Sequence, residues 1–137
     1  MTVDDLEKDE LEILEEKVTA LITSALPFLE VRVFHEGFDQ MAFTHPIGCV
    51  LIHYTATEYG DVSSGNQTVS YNIEINLVVR SIVKQSGAYR IMRAIRKALG
   101  SYHVKPLGRT FIRNQQLIAK EGSLWHYIQN FKCIGIV

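Results

Sequence analysis

From Ile75 to Lys120 the sequence has no acidic residue. The gap excludes carboxylate-pair acid–base chemistry from that third of the chain. Cysteine is nearly missing too. Cys49 and Cys133 are the only two and lie far apart, which excludes a disulfide-stapled scaffold and predicts buried or half-buried thiols in a reducing compartment. Three prolines and nine glycines leave little room for long linkers. No apolar run approaches the ~20 residues of a membrane-spanning helix. The start, Met1-Thr2-Val3-Asp4-Asp5, is acidic where an export signal needs a basic flank and an apolar stretch, so the expectation is folding in a cytoplasm. There is no internal repeat at solenoid periods, no phosphate loop, no dinucleotide fingerprint and no nucleophile elbow. Asn66-Gln67-Thr68 matches the glycosylation triplet, which has no meaning without a secretory route.

What is present is ordinary in amount and unusual in arrangement. A chain of 137 residues, 47 % hydrophobic and 21 % charged, predicts one globular domain over 1–137 whose core needs no metal or disulfide. Net charge is −1, yet the charges are sorted. Eight acids (Asp4, Asp5, Glu7, Asp9, Glu10, Glu12, Glu15, Glu16) crowd the start against one base, Lys8. The acid-free stretch holds ten bases: Arg80, Lys84, Arg90, Arg93, Arg96, Lys97, Lys105, Arg109, Arg113 and Lys120.

Apolar periodicity predicts a helix over Asp4–Leu26, with Leu11, Leu14, Val18, Leu21 and Ala25 on one face, stopped by Pro27. Short strands are expected over Glu30–His35 and Ile47–Thr57, joined by an irregular connection over Glu36–Pro46. Tyr59–Gln67 is polar and glycine-flanked, and predicts a long mobile hairpin tip. Thr68–Arg80 is the clearest strand: Val69, Tyr71, Ile73, Ile75, Leu77 and Val79 alternate with Ser70, Asn72, Glu74, Asn76 and Arg80. Ser86 is placed to cap a helix over Gly87–Leu99 that ends at Gly100. Its apolar arc is Ala88, Ile91, Met92, Ile95, Ala98 and Leu99, opposite a basic arc of Arg90, Arg93, Arg96 and Lys97. Strands over Arg109–Lys120 and Ser123–Val137 flank a turn at Glu121-Gly122, and the last has apolar residues on both faces. The order α-β-β-β-α-β-β predicts an α+β fold, an antiparallel or mixed sheet with two helices packed on one face.

Three sites merit weighing. His45, Cys49 and His53 have the residue types of a metal site. On a strand, however, four residues span about 13 Å, too far for ligands that must converge at about 2.0–2.3 Å on one ion. Cys49 could serve a small cysteine hydrolase only if reactive, whereas Cys133 and His126 fall on opposite sides of a strand. The basic region 80–120 could bind nucleic acid, although an isoelectric point near 6.5 argues against a free-standing nucleic-acid binder. Sorted charge is better used between subunits, the acidic first helix of one copy facing the basic region of the next. The residues placed for contact are Arg90, Arg93, Arg96 and Lys97 on the second helix, with Asp61 and Asn66 at the hairpin tip.

Ordered short signatures also carry a likeness: Ala25-Leu26-Pro27; Val31-Arg32-Val33; Thr44-His45-Pro46-Ile47-Gly48-Cys49-Val50-Leu51; Thr68–Arg80 ending Val78-Val79-Arg80-Ser81; Gly87-Ala88-Tyr89; and Trp125-His126-Tyr127. In this order they resemble small tail proteins of Mu-like phages and prophages, of the tail-terminator kind. The resemblance implies a homohexameric ring that caps the tail tube and meets head-completion proteins. It implies no enzyme activity, no cofactor, no metal and no membrane, with assembly in the bacterial host cytoplasm and a final place in the virion tail.

Overall fold

The computed structural model describes residues 1–34 and 45–136. The connection expected over 36–46 lies outside the described residues through Thr44, as do His35 and Val137.

Helix α1 spans Glu10–Ala25, not Asp4–Leu26. Its start is a capping box: the Leu11 N–H donates to the Asp9 carboxylate at 3.0 Å, and the Asp9 N–H donates to Glu12 at 3.3 Å. Ahead of Asp9 only Val3–Asp5 makes a single 3-10 turn, because no apolar stripe before Leu11 gives a longer helix anything to bury. Leu14, Val18 and Ile22 of α1 are fully buried.

Six strands form one sheet in the order β1-β2-β3-β6-β5-β4. They are β1 Glu30–Val33, β2 Gly48–Ser63, β3 Asn66–Arg80, β4 His103–Val104, β5 Gly108–Glu121 and β6 Leu124–Ile136. β1 and β2 are parallel and every other neighbouring pair is antiparallel, so the sheet is mixed. Helix α2, Lys84–Leu99, lies between β3 and β4 in sequence. The α+β order holds, with β4 as an added two-residue strand.

Two further expectations need correction. Tyr59–Gln67 is not a mobile loop. β2 runs on to Ser63 and pairs with β3 up to Ser63↔Asn66. The reversal needs only Ser64 and Gly65, at φ 52° and 79°. Positive φ at both central residues is the two-residue hairpin turn whose twist matches its strands. The extension is exposed, so no hydrophobic alternation marked it. The second error is the start of α2. Ser86 lies inside the helix and caps nothing; the residue at the cap is Val83, with no side-chain cap bond. Val83 packs on the core instead, so apolar contact fixes the first turn.

The alternation in β3 holds. Val69, Tyr71, Ile73, Ile75, Leu77 and Val79 are buried under the helices. They meet Val50 and Ile52 of β2 and Tyr127, Phe131 and Cys133 of β6. Ala88, Ile91, Met92, Ile95 and Leu99 of α2 close the core from above. Burying each large aliphatic side chain contributes about 1.5–3 kcal/mol. A smaller cluster of Phe34, Cys49, Leu51 and Val78 lies on the opposite face of the sheet.

Asn76, Thr110 and Gln129 are polar side chains buried in the sheet. Gln129 of β6 is 1 % exposed, and its Nε2 donates to the Met92 carbonyl at 3.0 Å and to Gln115 Oε1 at 3.1 Å. Gln115 Oε1 also accepts from Arg96 Nη1 at 2.7 Å. One amide therefore ties α2, β5 and β6 together.

Candidate subunit interface

The sequence-sorted charge becomes sorted in space. Helix α1 packs over β1 and β2, and α2 packs over β3 and β5, with the two helices side by side. β1 lies at one end of the sheet and β5, with the short β4, at the other. The acids Glu12, Glu15 and Glu16, beside Val33 of β1, therefore lie on the flank opposite the bases around β5, while Asp9 and Glu10 lie near Tyr71 of β3. On the acidic flank an open groove of about 480 Å³ is lined by Glu12, Glu15, Glu16, Thr19, Ala20 and Val33. On the basic flank Arg90, Arg93 and Lys97 are exposed on α2 and Arg96 is half-buried. None of these four bases forms an ion pair among the described residues. Arg109, Arg113 and Lys120 of β5 are exposed beside them.

Asp61 and Asn66 are exposed but belong to the regular β2–β3 hairpin, not to a loop. Asp61 lies in the register shift between Tyr59 and Val62, where Gln67 Nε2 donates to the Gly60 carbonyl at 2.8 Å. The hairpin end and the basic arc of α2 share no hydrogen bond or ion pair among the described residues, and the six residues expected to make contacts lie on different elements.

Sequence reading found β5 but missed its open edge. β4 pairs with it only at His103↔Arg109 and Val104↔Gly108. From Phe111 to Glu121 its outer edge has no strand partner among the described residues. Phe111, Ile112, Leu117 and Ile118 are all exposed. The available signal was two adjacent apolar pairs, Phe111-Ile112 and Leu117-Ile118, which put apolar groups on both faces of one strand.

The chemical candidates fare differently. Cys49 is fully buried, and burial pushes its thiol up to about 12. Cys133 is fully buried in the main core and is pushed up to about 11 for the same reason. A thiol held protonated offers no thiolate nucleophile near neutral pH. His45 is occupied locally: its Nδ1 accepts from the Ile47 and Gly48 N–H groups at 3.1 Å each. Among the described residues no group of three His, Cys, Asp or Glu side chains is placed to hold a metal. His126 and Cys133 are on opposite faces, His126 beside Asn76 Oδ1 at 2.9 Å and Cys133 in the core. Burial lowers the pKa of His126. Among the described residues no helix is long and apolar enough to cross a membrane.

Residues 18–134 match the family model of the Gp37 protein. The chain belongs to the Gp37 family. The resemblance to phage structural proteins drawn from the sequence is upheld at the level of the family. A search of curated proteins gives no match. Among solved structures the fold is similar to a chain in the virion of a native gene transfer agent particle. That likeness covers 93 % of this chain and 98 % of that one, at TM-score 0.65 and 8 % identity. A second solved chain matches over 91 % of this chain and 92 % of its own, at TM-score 0.57 and 14 % identity. At such identities the likeness is one of fold. Residues 1–17, with most of the acids, fall outside the family match.

Proposed function

We propose that this Gp37-family chain is a non-enzymatic structural subunit of a phage-type tail, assembling head to tail into a closed ring that terminates the tail tube. The observation that carries the reading is the placement of unlike charge on opposite flanks of one sheet. A surface complementary to a different surface on the same molecule makes a heterologous contact, and such contacts close into rings when the rotation per subunit allows. Opposed charge sets the orientation and speeds encounter. The full-length fold likeness to a chain from a virion particle supports a virion role. The sequence resemblance supplies the finer parts: a hexamer, contact with head-completion proteins, and assembly in a bacterial host cytoplasm before incorporation into the tail.

Electron microscopy of the purified protein tests this. Six-fold rings are the expected result, and uniform monomers at every concentration would overturn ring formation by the chain alone. Ring stability should fall with added salt, because exposed charges are screened beyond about 10 Å at 0.1 M.

The exposed arc Arg90, Arg93 and Lys97 favours one rival, a nucleic-acid-binding module. Gel shifts whose affinity falls steeply with salt would support that rival. The expected outcome is no shift at physiological salt.

A further inference from the structure

The outer edge of β5 from Phe111 to Glu121 has no strand partner among the described residues. An unpaired strand edge presents a row of free N–H and C=O groups, and soluble proteins normally blunt, cover or pair such edges. This edge is partly blunted by register shifts at Ile112/Asn114 and Leu117/Ala119. It remains apolar, with Leu117 50 % and Ile118 44 % exposed. It is also basic, through Arg113 and Lys120. Its occupant must therefore be extended, acidic and partly apolar.

Among the described residues, one segment of that character lies outside the strands and α-helices. Residues 1–9 carry Asp4, Asp5, Glu7 and Asp9 against Lys8. Val3 and Leu6 are 81 % and 63 % exposed, and the 3-10 turn there buries no residue. Backbone at Thr2, Leu6 and Asp9 is already extended. The acids of α1 cannot serve, because a regular helix has no free backbone to add to a sheet. Nine extended residues span about 30 Å, enough to run along most of the edge between Phe111 and Glu121.

We propose that residues 1–9 of one copy add as an acidic strand to the open β5 edge of the next copy. Main-chain hydrogen bonds supply affinity, Val3 and Leu6 cover the exposed aliphatics, and the acids face Arg113 and Lys120. The proposal rests on the ring reading and names one contact within it. Because residues 1–17 lie outside the family match, the arm is a fastening this chain adds to the flank-to-flank contact.

Light scattering over a concentration series tests it. The proteins are the full chain, a chain lacking residues 1–8, and the variant Arg113→Glu/Lys120→Glu. Both changed proteins should need at least about tenfold higher concentration for half-assembly. Circular dichroism should show their folds unchanged, since residues 1–8, Arg113 and Lys120 are all exposed. If both changed proteins assemble as readily as the full chain, the arm is overturned and the ring stands. If the full chain stays monomeric throughout, the ring reading itself is overturned. Oxidising the Leu6→Cys/Leu117→Cys variant separates swapping from self-docking. A ladder of cross-linked chains is expected, and a bond within single chains would overturn the exchange between copies.

Discussion

Phe131 and Phe111 are on neighbouring strands of one hairpin and live in different surroundings. Phe131, on β6, is fully buried beneath α2. Phe111, on β5, is 43 % exposed on the other face of the sheet. β6 is paired on both sides, by β3 and by β5. β5 is paired on one side for most of its length. Internal packing accounts for every large side chain that β6 turns toward the helices. It does not account for the four exposed apolar residues of β5. The fold of the subunit and the purpose of its surface are thus recorded in adjacent strands.

The comparison can be tested most sharply by truncation. Phe131→Ala should cost about 3–5 kcal/mol in urea unfolding, by lost transfer energy and an unfilled cavity. Phe111→Ala should change stability by less than about 0.5 kcal/mol while weakening assembly. Equal losses at both positions would remove the distinction. The thiols come next. The unfolded chain releases thiol protons near the usual value of 9, while folding holds them to about 12 at Cys49 and about 11 at Cys133. Above pH about 9 the unfolded state therefore binds fewer protons than the native state, and stability falls as pH rises, by at most about 1.4 kcal/mol per pH unit for each thiol. Denaturation midpoints on either side of pH 9 check this. A thiol reagent at neutral pH should label neither cysteine until the protein unfolds.

Smaller effects belong to the surface. Asp9→Ala removes the helix cap and should cost about 1 kcal/mol by thermal unfolding. The smallest is His126, whose folded pKa lies below its usual 6.5 because the ring is buried. Below that pH the unfolded chain takes up a proton more readily than the folded one. Stability should therefore decline gently on acidification, and His126→Gln should flatten that part of the profile.

The sequence disclosed the elements that bury something. β3 and α2 were legible because alternation by two and repetition by three and four are imposed by a one-sided core. The far end of the β2–β3 hairpin was misread because its residues, among them Asp61 and Asn66, bury no face and are held by backbone pairing. The start of α2 was misplaced because Ser86 has the chemistry of a cap, while the contact that decides the start is Val83 on the core. Sorted charge was visible at once. That it falls on opposite flanks was not, since it depends on strand order, and β6 inserts between β3 and β5 through contacts remote in sequence.

Gln129 bears on alignment. Hydrophobic contact alone tolerates a helix sliding along a sheet, because one aliphatic side chain can replace another at similar cost. The amide of Gln129 does not tolerate it. It meets a backbone carbonyl of α2 at Met92 and a side-chain oxygen of β5 at Gln115, and a slip of half a turn would forfeit the first of these. A buried donor left without a partner costs about 1–3 kcal/mol. Gln129 therefore works as a vernier mark. It excludes settings of α2 that fall between whole turns and so helps to fix where the basic arc stands relative to the open edge of β5.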